Sequence, residues 1–133
     1  MLDALSIERN IGINKVRDYW TSLGIDHFLY ELENLICVRE LRVPKDKRGC
    51  GIGTLAMQYL IEYADSVGKR AVLSPSKDFG ASSLPRLQKF YRRFGFVANK
   101  GKHKDYEISD TMYREPILTP NESHSMPRRQ KIR

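Results

Sequence analysis

Residues 41–54 read Leu-Arg-Val-Pro-Lys-Asp-Lys-Arg-Gly-Cys-Gly-Ile-Gly-Thr. They follow a segment rich in strand formers and precede a long helical pattern, so they predict a connection from a strand to a helix. Three alternate glycines in this stretch leave backbone N–H groups uncovered by side chains. The helix that follows adds unpaired N–H groups and the positive end of its dipole. The stretch therefore predicts a phosphate-binding site, and the nearby lysines and arginine add positive potential.

Three helices are predicted from apolar spacing and from helix-start and helix-stop signals. The clearest covers residues 52–67, where apolar residues recur at the i, i+3, i+4, i+7 spacing, and Gly68 ends it. Another is predicted over residues 13–23. The third begins at a Ser83 N-cap, has Pro85 in its first turn and runs as far as residue 94.

Strand-forming segments occupy five places along the chain. They lie at residues 27–33, 35–43, 69–74, 96–97 and 112–114. Asn34 separates the first two, which are expected to pair as a hairpin. The order helix, strand, strand, helix, strand, helix, strand, strand predicts one α/β domain with a mixed sheet over residues 1–116. Residues 117–133 are predicted to form a basic, disordered tail.

The overall composition restricts the class of protein. With 133 residues and 41% hydrophobic content, the chain has the size and composition of one folded domain. No apolar run reaches the roughly 18 residues that cross a bilayer, and the N-terminus lacks a signal-peptide pattern. We therefore expect a cytoplasmic protein without a membrane partner. Two cysteines and three scattered histidines show no metal-ligand spacing, so no metal is expected.

The net charge of +7 is unevenly distributed. Residues 77–104 hold eight lysines and arginines and only Asp78 as an acid, and the last 17 residues add four more basic residues against Glu122. This concentration favours an anionic partner, either a nucleic acid or a phosphorylated cofactor. A basic face that is simply solvated is the third alternative.

Two other phosphate-binding motifs fit the glycines at residues 49–53 less well. The pattern Gly51-x-Gly53-x-x-Ala56 matches a dinucleotide fingerprint, but that fingerprint needs its glycines almost directly after the strand. Residues 44–48 intervene here, and the chain is too short for a second βαβ half. A nucleoside-triphosphatase loop is excluded because no Gly-Lys-Ser or Gly-Lys-Thr follows.

Two segments together resemble the GNAT superfamily of N-acetyltransferases. Residues 41–53 resemble motif A, a strand ending in Leu-x-Val followed by a polar loop and Arg-x-x-Gly-x-Gly. Residues 87–96 resemble motif B, where a helix carries a tyrosine four residues before Gly-Phe. The resemblance covers roughly residues 25–115. It implies the acyl-CoA N-acyltransferase fold, with a central mixed, mostly antiparallel sheet flanked by helices.

The resemblance also implies a reaction and the residues that bind its co-substrate. Acetyl-CoA would give its acetyl group directly to a primary amine of a protein lysine, a protein N-terminus or a small molecule. The main chain at Leu41, Arg42 and Val43 would pair with the pantetheine arm. The pyrophosphate would lie on the backbone of Arg48, Gly49, Cys50, Gly51, Ile52, Gly53 and Thr54. Lys89, Arg92 or Arg93 would contact the 3′-phosphate.

The same resemblance assigns two catalytic roles. Tyr91 matches the family's tyrosine acid, and a phenol with a pKa near 10 can protonate a departing thiolate. Glu40 is predicted to be the base that leaves the amine neutral, with Glu31 and Glu33 on the partner strand as rivals. Packing of Tyr91 beside Phe90 is the structural alternative to its acid role.

The sequence departs from the family pattern in two ways. Only about 35 residues precede the motif A strand, so we expect an acceptor cleft that is open or is completed by a second subunit in a homodimer. The asparagine common near the start of the motif B helix is absent, and Leu84 lies there with Ser82 and Ser83 before it. A nucleic-acid-associated binding or regulatory module that keeps the fold is the alternative function.

Overall fold

The computed structural model of the chain describes residues 4–76 and 83–117, and only the backbone for residues 4–11. The element order is the predicted one. The helices are α1 (Ala4–Ser22), α2 (Ile52–Val67) and α3 (Leu84–Arg92), and the strands are β1 (Asp26–Glu31), β2 (Leu35–Arg42), β3 (Arg70–Leu73), β4 (Val97–Ala98) and β5 (Met112–Arg114). Apart from Ile117, the predicted tail lies outside the described residues.

The five strands form one mixed sheet in the order β1-β2-β3-β5-β4. Only β2 and β3 run parallel, and the other three pairs are antiparallel. The predicted α/β class and mostly antiparallel sheet are therefore confirmed. The hairpin of β1 and β2 is confirmed as well, and the Leu32 N–H donates to the Leu35 carbonyl at 2.7 Å across its turn.

The parallel strands β2 and β3 separate part-way along β2. β2 pairs with β3 only from Leu35 to Val38, although it continues to Arg42. Just past this point, Phe28 pairs with Glu40 while Leu29 pairs with Val38, so Arg39 is the extra residue of a β-bulge. The last residues of β2 therefore border a gap in the sheet, and this gap positions the site described below.

The bulge changes which residues of β2 face the larger core. This core packs residues of all three helices against the sheet, and it contains Ile36 and Val38 before the bulge but Leu41 and Val43 after it. A smaller core on the other face contains Cys37. Because side chains of a regular strand alternate between faces, the extra residue shifts the alternation by one.

The first helix is longer than predicted. α1 begins at Ala4, whereas its apolar spacing starts only at Ile13. Gly12 lies inside it, close to α2: a Cβ at this position would come within 2.5 Å of Tyr63 Cε1. One internal glycine costs a helix about 1 kcal/mol, which is too little to end it. The glycine permits the close approach of the two helices.

The third helix starts as predicted and ends earlier. The Ser83 hydroxyl accepts the Arg86 N–H at 3.1 Å, so the N-cap is confirmed. The helix ends at Arg92 instead of residue 94, because the N–H of Phe94 bonds to Tyr91, three residues back, and Gly95 takes a φ of 96°. This turn directs the chain into β4.

A buried ion pair lies next to the hairpin turn between β1 and β2. The Lys69 ammonium contacts a Glu31 carboxylate oxygen at 2.7 Å, with side chains 8% and 5% exposed. Lys69 also donates to the Leu32 carbonyl, and the Tyr63 hydroxyl donates to Glu31. All polar atoms named here are thus paired, as burial requires.

Replacing Lys69 with methionine is expected to lower the free energy of unfolding by about 3–5 kcal/mol, because Glu31 would be left buried without its counter-charge. Urea denaturation measures the loss. The double variant Lys69→Met, Glu31→Leu should regain a large part of it. Arg42→Met, which breaks an exposed pair with Asp26, should cost less than about 1 kcal/mol. Equal losses for Lys69→Met and Arg42→Met would contradict the prediction.

Candidate active site

A cleft of about 510 Å³ lies beside the end of β2 and the start of α2. Its walls are the last residues of β2, the loop of residues 47–51 (the glycine loop), the first turn of α2 and one face of α3. The residues lining it are Leu41, Arg42, Val43, Lys47, Arg48, Gly49, Gly51, Ile52, Gly53, Thr54, Ser76, Arg86, Leu87, Phe90 and Tyr91. Every residue predicted at positions 41–54 to bind the co-substrate is therefore at this cleft except Cys50, which is an exposed free thiol nearby.

The glycine loop leaves the N-terminus of α2 open towards the cleft. Gly51 is the N-cap with a φ of 78°, in the left-handed region that favours glycine, and no side chain of the described residues caps the helix. A Cβ added at Gly49 or Gly51 would meet no atom within 4 Å. The first N–H groups of α2 and the positive end of its dipole are thus available to an anion.

Arg48 and Gly53 define the shape of this anion site. Arg48 Nε donates to the Val43 carbonyl at 2.9 Å, which ties the loop to the end of β2. A Cβ added at Gly53 would make ordinary contacts, at 3.4 Å from Phe90 Cζ and 3.7 Å from Val43 Cγ2. Glycine leaves this part of the cleft wall without a side chain.

Tyr91 lies at the inner end of the cleft. It is 5% exposed, and its ring meets those of Phe90 and Phe96 edge to face. Burial raises its pKa to about 12, so the hydroxyl keeps its proton at neutral pH. Within residues 4–76 and 83–117 this hydroxyl has no hydrogen-bond partner. A buried hydroxyl without a partner is uncommon and is free to donate to a bound molecule.

The cleft continues past Tyr91 into a narrow end of about 30 Å³. Four residues line both parts: Leu41, Ser76, Leu87 and Tyr91. The narrow end adds residues from β2 and from the chain after β3: Val38, Arg39, Glu40, Leu73, Ser74 and Pro75. It lies where β2 continues beyond β3, so the gap in the sheet opens directly into the cleft.

The three carboxylates considered as bases have different surroundings. Glu40 is half-buried, lines the narrow end and has no ion pair within the described part of the chain. Glu31 is bound by Lys69 at the other end of β1, away from the cleft. Glu33 is exposed in the hairpin turn. Only Glu40 is brought together with Tyr91.

The basic residues of α3 that were predicted to bind the co-substrate are not the ones that line the cleft. Lys89 and Arg92 are exposed and do not line the cleft, so their contact with a 3′-phosphate stays a prediction. Arg86 lines it instead. Arg86 precedes Phe90 by one turn, and residues four apart share a helix face, whereas Lys89 lies on another face. Arg86 could be recognised only once the structure showed which face of α3 borders the cleft.

Comparison with known proteins identifies the family. A model described as the Acetyltransferase (GNAT) family matches residues 12–96 of this chain, which is more than half of it. The chain belongs to the GNAT acetyltransferase family. No curated protein and no solved structure matches the chain.

Membership of the GNAT family makes the chain an acyl-CoA-dependent N-acyltransferase in general terms, and the cleft fits such a co-substrate. The open helix N-terminus suits the diphosphate, and the apolar walls beside Phe90 and Leu87 suit an uncharged arm. In the described residues no helix is long and apolar enough to cross a membrane. Nor do three potential metal-ligating side chains come together there.

Proposed function

We propose that this protein is an N-acetyltransferase that moves the acetyl group of acetyl-CoA directly to a primary amine. One observation carries the proposal: an open helix N-terminus and the unpartnered hydroxyl of Tyr91 border the same cleft. The first suits the diphosphate of the donor. The second keeps its proton at neutral pH and suits the role of a proton donor to the departing sulfur.

The size of the narrow end supports a short acyl group. Its volume is about 30 Å³, against about 510 Å³ for the main part of the cleft. An acetyl group needs less room there than any longer acyl group does. A long acyl chain would have to displace Leu73 or Leu87, which wall the space.

The free edge of β2 supports the assignment of the pantetheine arm. Beyond Val38, β2 has no strand partner on the side of β3 among the described residues, so backbone of Leu41 and Arg42 borders an open edge. At Val43 the carbonyl already accepts from Arg48 Nε, so a contact of the arm with this residue would use its N–H. An extended ligand with amide groups can bind such an edge as an added strand does. Arg86 and Arg48, at opposite walls of the cleft, supply positive charge for the phosphates.

The chemistry requires three proton transfers. Bound acetyl-CoA supplies the thioester carbonyl that the amine attacks. Glu40 accepts the proton that the ammonium form of the acceptor must lose, either directly or through water. Tyr91 donates its proton to the sulfur as the carbon–sulfur bond breaks, and the nitrogen, which becomes acidic once it is bonded to the carbonyl carbon, gives up its second proton to the Tyr91 phenolate, directly or through water. Glu40 releases the proton that it took to solvent. An ammonium and a thioester thus become an amide, a thiol and one proton in solution, so atoms and charge balance.

A second candidate function rests on the surface of α3. Arg86, Lys89, Arg92 and Arg93 are exposed, and none of them pairs with a carboxylate in the part of the chain that the structure describes. Such a surface supports binding to a nucleic acid, with or without acetyl transfer. Affinity for DNA or RNA that falls steeply with salt would support this candidate.

Calorimetry with acetyl-CoA tests the proposed function first. The protein is expected to bind acetyl-CoA, and Arg48→Glu should weaken binding about tenfold or more by removing a cation and adding an anion at the phosphates. Lys15→Glu makes the same charge change on α1, outside the cleft, and should leave binding unchanged. No binding of acetyl-CoA at high micromolar concentration would sink the proposal. Thiol release across polyamines, lysine peptides and free N-termini then identifies the acceptor.

A further inference from the structure

The β-bulge at Arg39 is held by a side-chain cluster that the mechanism above does not use. The Arg39 guanidinium donates to Asp110 Oδ1 at 2.5 Å and to Asp110 Oδ2 at 3.2 Å. Its Nε donates to the Tyr30 hydroxyl at 3.2 Å. A two-pronged contact between arginine and carboxylate fixes orientation as well as distance.

Asp110 also connects the bulge to the end of β3. The Ser74 hydroxyl donates to Asp110 Oδ1 at 2.9 Å and accepts the Thr111 N–H at 3.2 Å. The Asp110 side chain is only 6% exposed. One carboxylate therefore bridges the two strands at the point where they separate, since Arg39 belongs to β2 and Ser74 follows β3.

The segment that carries Asp110 is itself fixed. The Asn99 side-chain amide donates to the carbonyls of Ile108 and Asp110 at 2.9 Å and 3.0 Å, and its oxygen accepts the Asp105 N–H at 2.7 Å. Asn99 is 8% exposed. The carboxylate is thus presented from a rigid support and not from a mobile loop.

We propose that Asp110 is a positioning residue for the transfer reaction, acting through Arg39 on Glu40. This inference rests on the proposed function. The bulge decides the face to which each following residue of β2 points, and Glu40 comes directly after the extra residue. Asp110 stabilises the bulge and so fixes the place of Glu40 in the lining of the narrow end, while Leu41 and Val43 keep their places on the larger core.

The position of Asp110 predicts a particular kinetic signature. Asp110→Asn keeps the shape but removes the charge that holds Arg39, so Glu40 is expected to lose its fixed orientation. We expect kcat to fall by about 10²-fold, the scale of a misplacement of about 1 Å at a reacting group. The KM for acetyl-CoA should change by less than about threefold, because the anion site at Gly51 is untouched.

A second buried ion pair supplies the matched control. Arg114 contacts Asp65 through two nitrogens at 2.7 Å and 3.1 Å, with side chains 4% and 18% exposed, and neither residue lines the cleft. Asp65→Asn makes the same chemical change as Asp110→Asn. It should destabilise the fold and leave kcat of the folded protein within about twofold of wild type.

A double-mutant cycle decides between positioning and mere stability. In a Glu40→Gln background, Asp110→Asn is expected to reduce kcat by less than about threefold, because the group that it positions is already gone. Ser74→Ala, which removes one contact to Asp110 at an exposed position, gives a milder variant in case Asp110→Asn does not fold. It should lower kcat by about three- to tenfold, again only when Glu40 is present.

The outcomes separate the two proposals. If wild type neither binds acetyl-CoA nor turns over, the proposed function and this inference both fail. If wild type is active and both variants at the cluster match Asp65→Asn, or their effects are fully additive with Glu40→Gln, the positioning role of Asp110 is overturned and the proposed function stands. Non-additive losses confined to Asp110→Asn and Ser74→Ala support the role.

Discussion

Replacing Tyr91 with phenylalanine is expected to lower kcat by about 10²–10⁴-fold, the usual contribution of a positioned general acid. The ring would keep its contacts with Phe90 and Phe96, and only the hydroxyl would be lost. Acetyl-CoA affinity should therefore stay within about threefold of wild type. Steady-state kinetics with the best acceptor and calorimetry with acetyl-CoA measure the two quantities separately.

The free energy of unfolding of Tyr91→Phe distinguishes a catalytic role of the Tyr91 hydroxyl from a structural one. Its hydroxyl has no partner among the described residues, so removing it should not lower the free energy of unfolding, and relief of its desolvation should raise it slightly. Tyr59→Phe, at a half-buried tyrosine that stacks on Tyr19 outside the cleft, is the matched control and should leave kcat unchanged. Retention of wild-type kcat by Tyr91→Phe would remove the acid assignment.

The raised pKa of Tyr91 also determines how its ionisation changes the free energy of unfolding and the activity with pH. A phenol with a pKa of about 12 in the fold and near 10 when unfolded binds more protons in the native state between these values. The free energy of unfolding is therefore independent of Tyr91 ionisation below pH 10 and falls as pH rises from 10 towards about 12, because burial disfavours the phenolate in the fold. Activity should show no loss from Tyr91 ionisation until pH approaches 12, since the acid stays protonated below that.

The anion site was predictable because its determinants are neighbours in the sequence. Strand end, polar loop, glycines and helix start all lie within residues 41–54, and each has a local signal. Tyr91 could be predicted as a site residue only from its match to motif B, because apolar spacing alone is equally consistent with a core residue. In the structure it is 5% exposed, and it is part of the larger core as well as of the cleft lining.

The geometry around Glu40 was not predictable from local patterns. The strand sequence places two charged residues, Arg39 and Glu40, side by side, but such a pair does not by itself indicate the extra residue that shifts the alternation at Arg39. The partner that holds this residue is Asp110, which lies 71 positions further along the chain. Similarly, the Glu31 carboxylate is paired with Lys69, which lies 38 positions further along the chain. Tertiary contacts of this kind leave no periodic signal in one sequence.

Replacing Gly53 with valine is expected to weaken acetyl-CoA binding by about 100-fold or more. Gly53 has no positive φ, so the change strains no backbone, and its effect comes from the cleft itself. An added Cβ would lie 3.4 Å from Phe90 Cζ, so the two further methyl groups of valine are expected to occupy part of the cleft that Gly53 lines or to push Phe90 aside. Either movement takes hydrogen bonds from the diphosphate, and a hydrogen bond to a charged group contributes about 1.5–3 kcal/mol.

A graded series separates obstruction of the cleft from damage to the helix. Gly53→Ala should fold at least as stably as wild type, because alanine is the better helix former, and should weaken binding far less than valine. Gln58→Val places the same β-branched residue at an exposed position of α2 and should leave acetyl-CoA affinity unchanged. If Gly53→Val binds acetyl-CoA as tightly as Gln58→Val does, the diphosphate does not lie at the start of α2, because a side chain there cannot be accommodated without displacing it.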